Sequence, residues 1–420
     1  MSRSPTPTPD RLIDMKPIYI ISLTMLLNSI AIASDSELTG EYTNIQFGRE
    51  LINRDSFPTV SEFEEYAERD DISLALMFRL VESEDNVVNP NWSSDGKRLS
   101  FQKVDTKRNT SKIFVYDHLG MKEPTLLSNQ RRAYDYMFRW GVGSPSAFIF
   151  ARLGTEGGNV KFLGNFNTGE ILGSDSPAPS MARDLGLSGN LYANPSIYVR
   201  TDQIARIAFD QAGKVLRVAS RIPGKTTSAR EVIAGQTPRW NRDGRHLLTI
   251  ERDSTGGTTS RMAVADISDN DVEYFGTKSD HARSPSWSPD ERFVSCYVKE
   301  ESGSVKWSIQ VVPMNSAEAL SVTMIDDDVI VNADFTTLGP CWNPDASQLW
   351  YFSKQHRDAA YYPLVIRNID SGDTAVVDYP KVCTSPNDMT MNPTSNVPEI
   401  VFVGHRDIAQ DVFILLLNHF

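Results

Sequence analysis

A tryptophan-bearing phrase returns along the chain at gaps of 48, 100, 47 and 55 residues. Each good copy carries four short alternating segments within about 55 residues, the strand count of one propeller blade. The last copy stops after its third segment, while an unassigned strand-like segment stands ahead of the first tryptophan. Together these observations predict an all-β protein: a β-propeller of four-stranded antiparallel blades, with the last blade closed by an N-terminal strand.

The 420-residue chain opens on a polar, Pro-rich stretch and then Met15–Ala33, MKPIYIISLTMLLNSIAIA. One lysine, an apolar run and a small-x-small ending are the marks of a secretory signal peptide, with cleavage expected after Ala33 and translation starting at Met1 or Met15. The run is short for a bilayer span and no cysteine follows it, so neither a retained anchor nor a lipid anchor is expected. Residues 34–73 read as an extension with one short helix, in which Ser61 and Glu64 make a capping box and Phe63, Tyr66 and Ala67 share a face. The propeller is expected over 74–420.

Its repeat is seen in NPNWSSDGKRLSF (89–101), TPRWNRDGRHLLTI (237–250), SPSWSPDERF (284–293) and GPCWNPDASQLWYF (339–352), with a looser copy at 137–150. The gap of 100 calls for a worn copy between Trp140 and Trp240, and residues 193–209 supply it; another covers 387–403. In each copy a first strand carries the tryptophan inward. A tight turn follows, in which Asp can bond its own backbone and Gly accepts positive φ. This assigns structural roles to Trp92 and Asp95, Trp240 and Asp243, Trp287 and Asp290, and Trp342 and Asp345. A second strand alternates after the turn. Third strands follow at 112–117, 260–267, 307–313, 364–369 and 412–417, and fourth strands at 125–128, 231–235, 272–276 and 375–379. The segment 74–83 has the character of the missing fourth strand. Counting the worn copies gives seven blades, or six if 185–235 is an insertion.

The P-x-W-S-x-D-G-x-x-L-x-F pattern resembles the WD40-like beta-propeller repeat of the TolB family, over roughly residues 76–420. The same blade is used by periplasmic scaffolds, by propeller domains of prolyl-oligopeptidase-type peptidases and by oligogalacturonate lyases. Resemblance to TolB implies a soluble periplasmic protein working through protein contacts in the cell envelope. TolB carries a larger α/β domain ahead of six blades; here only about forty residues precede the ring. A TolB-like relative of unknown ligand is therefore expected.

Charge sets further bounds. The whole chain stands at −12, and without residues 1–33 it holds 39 basic against 52 acidic side chains. Such a protein repels nucleic acid and anionic lipid. Three cysteines, Cys296, Cys341 and Cys383, lack metal-ligand spacing. Buried thiols are expected ahead of a Cys341–Cys383 disulfide.

No G-x-S-x-G elbow occurs, which argues against a serine peptidase. Gly224-Lys225-Thr226 lacks the first glycine of a P-loop and reads as a charged turn. The acidic runs at 326–328 and 269–271 lack the spacing of a Ca²⁺ loop. His281, His356 and His405 fall in loops of one propeller face; the lyase resemblance implies that they could hold a transition metal, with exposed loop histidines as the plainer reading. Lys103, Arg152, Arg252, Lys299, Lys354 and Arg406 end the second strands of six repeats. They could ring one mouth of the channel with positive charge and receive a carboxylate-bearing ligand, or simply be strand ends meeting water.

The sequence therefore predicts an exported, periplasmic or secreted binding module for a protein partner or acidic ligand. No cofactor, nucleic acid or stable membrane insertion is expected. The alternative is a metal-assisted enzyme acting on acidic oligosaccharide, similar to oligogalacturonate lyase.

Overall fold

Alternation with period two puts successive side chains on opposite faces of a strand, and the repeat copies become antiparallel strands on that account. The computed structural model describes residues 43–45, 52–53, 75–81, 86–117, 124–127, 133–153, 159–172, 196–199, 205–211, 215–221, 228–233, 235–252, 259–269, 271–279, 281–299, 306–314, 322–325, 329, 331, 339–354, 362–377, 384–394, 399–406 and 409–417. The signal segment, the helix expected near 61–67, the turn at 224–226, the acidic run 326–328, His356 and Cys383 lie outside the described residues. Among the described residues all regular structure is strand.

Three strands precede the first tryptophan: β1 (Thr43–Ile45), β2 (Ile52–Asn53) and β3 (Ala75–Val81). The Trp92 copy forms β4 (Asn86–Trp92), β5 (Leu99–Asp105), β6 (Thr110–Tyr116) and β7 (Thr125–Leu126). The Trp140 copy forms β8 (Tyr134–Trp140), β9 (Ala147–Leu153), β10 (Asn159–Asn165) and β11 (Glu170–Leu172). The worn copy opens a four-stranded sheet of its own: β12 (Ser196–Val199), β13 (Ala205–Gln211), β14 (Val215–Arg221) and β15 (Ser228–Ile233). The Trp240 copy gives β16 (Gln236–Trp240), β17 (His246–Arg252), β18 (Ser260–Asp266) and β19 (Val272–Ser279). The Trp287 copy gives β20 (His281–Trp287), β21 (Phe293–Lys299), β22 (Ser308–Pro313) and β23 (Thr323–Ile325). The Trp342 copy gives β24 (Cys341–Trp342), β25 (Gln348–Phe352), β26 (Leu364–Asn368) and β27 (Thr374–Val377). The chain ends in β28 (Thr384–Met391), β29 (Glu399–Arg406) and β30 (Ala409–Leu417).

Each group is a meander in sequence order, and β4–β7 share a sheet with β8–β11 only through Ser111 opposite Tyr134. The final sheet runs β2-β3-β30-β29-β28. There β3 pairs antiparallel with β30, Ala75 facing Leu417 and Phe78 facing Ile414, as the segment ahead of the first tryptophan led one to expect. Two further pairings were not legible in the sequence: β2 runs parallel to β3, and β1 parallel to β27. Both cover the outer edge of a sheet that would otherwise offer open N–H and C=O groups.

The first strands of neighbouring groups touch one another: β4 meets β8, β8 meets β12, β12 meets β16, β16 meets β20, β24 meets β28 and β28 meets β4. These strands are bent at one place. Asn89, Met137, Thr237 and Ser284 have φ between 52° and 57°, and the register slips beside each. The residue after each is Pro90, Phe138, Pro238 or Pro285. A bulge leaves one backbone group outside the ladder, so proline, which has no N–H to give, fits there.

The core lies between the sheets. Tyr297, Ile309 and Val311 pack with Trp342, Leu349 and Tyr351 of the following group; Leu248 and Met262 pack with Val294 and Cys296. Each motif tryptophan works at such a seam. The Trp140 indole N–H donates to Asn91 O at 3.0 Å, Trp240 to Ser196 O at 3.2 Å and Trp287 to Arg239 O at 3.0 Å; Trp342 donates instead to Ser295 Oγ at 3.0 Å. The Trp92 indole N–H, buried, has no acceptor. At that seam the turns make the link: Asn392 Nδ2 donates to Gly96 O at 2.9 Å and Thr394 Oγ1 to Asp95 O at 3.0 Å.

The turn after each tryptophan is built by its own side chains. Ser288 Oγ accepts from Phe293 N at 2.9 Å and Asp290 Oδ1 from Arg292 N at 3.0 Å; Asn343 and Asp345 do the same for Gln348 N at 2.8 Å and Ser347 N at 2.9 Å. Ser93 and Asp95, and Asn241 and Asp243, repeat the arrangement. These carboxylates serve the turn.

Gly244 has φ +69°, and a Cβ there would lie 2.4 Å from the Tyr198 ring of the preceding group. Gly244→Ala should therefore cost about 2–4 kcal/mol, from backbone strain and overpacking together. An unchanged urea midpoint would show that the seam can yield. Deleting residues 74–83 removes β3 and leaves β30 as an open edge; the product is expected to aggregate on size exclusion. A monomeric, cooperatively unfolding deletion variant would show that the β3–β30 pairing is dispensable.

Candidate ligand-binding site

Of the six basic residues expected on one face, Arg252, Lys299 and Arg406 end second strands, Lys354 lies just past one, and Arg152 and Lys103 stand shortly before an end; their side chains do different work. Arg152 on β9 is committed to Asp135 on β8, with Nε–Oδ1 2.5 Å and Nη2–Oδ2 3.1 Å, and its guanidinium lies 4.5 Å from the Phe162 ring centre. Asp135 is fully buried. A buried carboxylate needs such a bidentate partner, so Arg152 has a structural role. Lys103 Nζ lies 5.2 Å from the Phe114 ring centre. Lys354 is half-buried just past β25, Arg252 is exposed at the end of β17, and Arg406 ends β29 opposite Ala409.

Lys299 belongs to a cluster. Its Nζ lies 4.7 Å from the Trp307 ring centre, and the Arg283 guanidinium lies 4.2 Å from the same centre. Burial, and then the positive charge of Arg252, lower the Arg283 pKa below the usual guanidinium value. Two cations thus lie over one indole, beside exposed His281, which faces Lys299 across the β20–β21 ladder. Aromatic faces stabilise cations and hold them in fixed orientation. Among the described residues Arg252 and Lys299 have no carboxylate within ion-pair distance. Arg283 and Trp307 were not among the residues singled out from sequence. Their signal was the phrase H-A-R-S-P ahead of a tryptophan that opens a third strand.

Of the other histidines, His405 lies on β29 opposite Thr384 and Gln410, and His356 is outside the described residues. Among the described residues no three His, Cys, Asp or Glu are grouped to hold a metal ion. Cys296 and Cys341 are free and buried; burial pushes the Cys341 thiol up to about 12 and raises that of Cys296 as well. Neither is a ready thiolate at neutral pH.

A second cationic pair stands deeper. Arg139 and Arg239 occupy the same place in the repeat, between the bulge and the tryptophan. Arg139 is buried, and its Nη1 donates to Asn89 Oδ1 at 3.0 Å and Phe138 O at 2.9 Å. Arg239 donates Nη1 to Pro238 O at 3.0 Å. Burial first, and the charge of Arg139 second, push the Arg239 guanidinium down from its usual value to about 9. It is therefore cationic at pH 7, and the unfolded chain holds its proton more tightly. The charge costs stability below about pH 9, a cost relieved as pH rises above that value.

No family model matches the chain, and no curated protein matches it. Solved structures do. An oligogalacturonate lyase in complex with manganese is 13% identical, with a TM-score of 0.53 over 81% of this chain and 92% of that one. A puromycin-hydrolyzing peptidase of Mycobacterium tuberculosis is 11% identical, with a TM-score of 0.53 over 80% of this chain and 52% of that one. TolB from Acinetobacter baumannii is 11% identical, with a TM-score of 0.43 over 82% of this chain and 89% of that one. The likeness is one of fold alone: an all-β propeller-type arrangement of four-stranded antiparallel sheets. No helix among the described residues is long and apolar enough to cross a membrane.

Asp135→Asn leaves the Arg152 guanidinium without its counter-charge. A loss of about 3–5 kcal/mol is expected in urea unfolding, with little effect on any ligand that binds at Trp307. A change below about 1 kcal/mol would mean that Arg152 finds another partner and is free for ligands.

Proposed function

We propose that the chain is an exported, periplasmic or secreted, seven-bladed β-propeller that acts as a binding module and not as an enzyme, and that it takes an acidic ligand or the acidic surface of a protein partner in the cell envelope. The observation that carries this reading is the placement of Arg283 and Lys299 over the Trp307 ring, with the charge of Arg252 acting on Arg283. Surface cations scattered singly are ordinary; cations ordered on an indole have lost part of the rotamer freedom that binding would otherwise cost.

The position of the cluster supports the same use. It lies at the end of the propeller groups where second strands finish, and such loops carry most recognition in scaffolds of rigid strands. The chain as a whole is acidic, at −12. A ligand is therefore not drawn in by the long-range field, and selection rests on direct contact with a local positive patch. Export is supported by the leader-like segment at 15–33 alone. The closed ring of seven blades is supported by the four-stranded sheet from the worn copy, by the β3–β30 pairing and by the turn contacts between Gly96 and Asn392.

The test uses the chain lacking residues 1–33 and an acidic probe, a poly-glutamate peptide, by calorimetry at two salt concentrations. Wild type should bind with an affinity that weakens as salt rises, and Arg252→Glu/Lys299→Glu should reduce it at least tenfold at an unchanged melting temperature. Equal binding by the double variant would remove the Trp307 cluster as the site.

A further inference from the structure

We infer that His246 is a pH-responsive latch on the seam between the Trp240 and Trp287 groups: when its imidazole takes up a proton, the bridge that the Asn241 turn makes to Glu291 is broken. The latch goes beyond the ligand-binding reading and uses none of its residues.

The bridge is one buried amide with every polar atom engaged. Asn241 Oδ1 accepts from Arg245 N at 3.1 Å and from His246 N at 2.9 Å, both bonds of the turn after Trp240. Those bonds settle which way the amide lies, so its nitrogen is a donor of two protons. One goes to His246 Nδ1 at 3.3 Å and the other to Glu291 Oε2 at 3.3 Å. Nδ1 is therefore the acceptor nitrogen of the ring, and the proton sits on Nε2, 3.7 Å from Asp266 Oδ2.

Glu291 reaches the bridge from a strained backbone. It stands in the repeat where Gly96 and Gly244 stand, yet it has φ 62°. A Cβ at Gly96 or Gly244 would meet side chains of the preceding group, so this position points across the seam. From it, Glu291 Oε1 takes the Arg242 N–H and Oε2 takes the Asn241 amide. Left-handed strain is kept where it holds such a contact.

Protonation sets donor against donor. A proton on Nδ1 meets the Asn241 N–H, and the amide cannot turn over without giving up its bonds to Arg245 N and His246 N. The charged groups about the ring decide what moves. Among the described residues these are Asp266, with Arg245 at 2.7 Å from it, and exposed Arg242 and Asp243 from the same group, and Glu291 from the following one; the preceding group offers the Tyr198 ring, packed at Gly244. Asp266 already serves Arg245 and the Nε2 side. Glu291 is the carboxylate on the Nδ1 side, since one Asn241 nitrogen touches both, so it turns to the imidazolium and releases Arg242 N. A bond that pinned one turn's backbone to the next group is exchanged for a pair of side chains.

The Arg242 amide reports the latch. Its hydrogen exchange, read by fragmentation mass spectrometry and corrected for intrinsic rate, should be about tenfold faster at about pH 5 than at about pH 8, the span in which imidazole changes charge. The turn after Trp342 is the internal control: Gln348 stands where His246 does, and its amide, bonded to Asn343 Oδ1 at 2.8 Å, should keep its protection at both. His246→Asn, which keeps an acceptor near the place of Nδ1 and takes up no proton, should hold Arg242 protected throughout. Glu291→Gly, which removes the carboxylate and the backbone strain together, should leave Arg242 unprotected throughout. Equal Arg242 protection at both pH values in wild type, a response of the Gln348 amide as large as that of Arg242, or an acid-induced loss that survives in His246→Asn would each overturn the proposal. If His246→Asn fails to fold, an acid-induced loss in Glu291→Gly would do the same. Arg252→Glu/Lys299→Glu should leave the response intact, so failure here is distinct from failure at the Trp307 cluster.

Discussion

The hydrogen bond from one group's tryptophan to the inner strand of the group before it is the constraint on which the rest of the structure depends. An indole N–H is a donor that must be satisfied once buried. In three seams its acceptor is a first-strand carbonyl of the preceding group: Asn91, Ser196 or Arg239. The bond does two things at once. It buries a large apolar surface between sheets, and it fixes the height of one inner strand against the next. Because the acceptor is backbone, the side chain at that position is left free to vary. That freedom is why Asn91, Ser196 and Arg239 can occupy equivalent places without disturbing the seams.

The bulge completes this division of labour. A regular strand would send the residue before the tryptophan to the face opposite the indole and keep it in the ladder. The left-handed residue, followed by Pro90, Pro238 and Pro285 in three copies and by Phe138 in the other, breaks that rhythm. Met137 and Thr237 are not residues that favour positive φ, so the surrounding seams must enforce it.

The fold was legible because the repeat writes its own turns and strands. Ser or Asn after the tryptophan and Asp three residues on are needed wherever the turn is made, and they were found in four copies. The worn copy at 193–209 was found by spacing, and its seam still holds because Ser196 supplies the carbonyl and Tyr198 fills space against Gly244. The parallel additions of β1 and β2 were not legible: edge pairing of two or three residues leaves no periodicity to read. The site was legible only in part. Ends of second strands were recognised as basic, but sequence cannot tell Arg152, neutralised by Asp135, from Lys299, ordered on Trp307. The partner in the first case stands 17 residues upstream on the neighbouring strand. Arg139 and Arg239 were in view throughout, inside the motif itself.

The contrast between those arginines says what kind of ligand chemistry this propeller can support. Arg152 and Asp135 show that the chain can neutralise a buried charge internally, with a bidentate pair and an aromatic face. The same solution at Arg239 would have required one acidic residue on β12 or β20, at positions that instead hold Ser196, Ile197, Ser284 and Ser286. In a protein with more acidic than basic side chains, the supply of carboxylates was not limiting. Lys299 follows a different course: it is ordered on the Trp307 indole, with no carboxylate within ion-pair distance among the described residues.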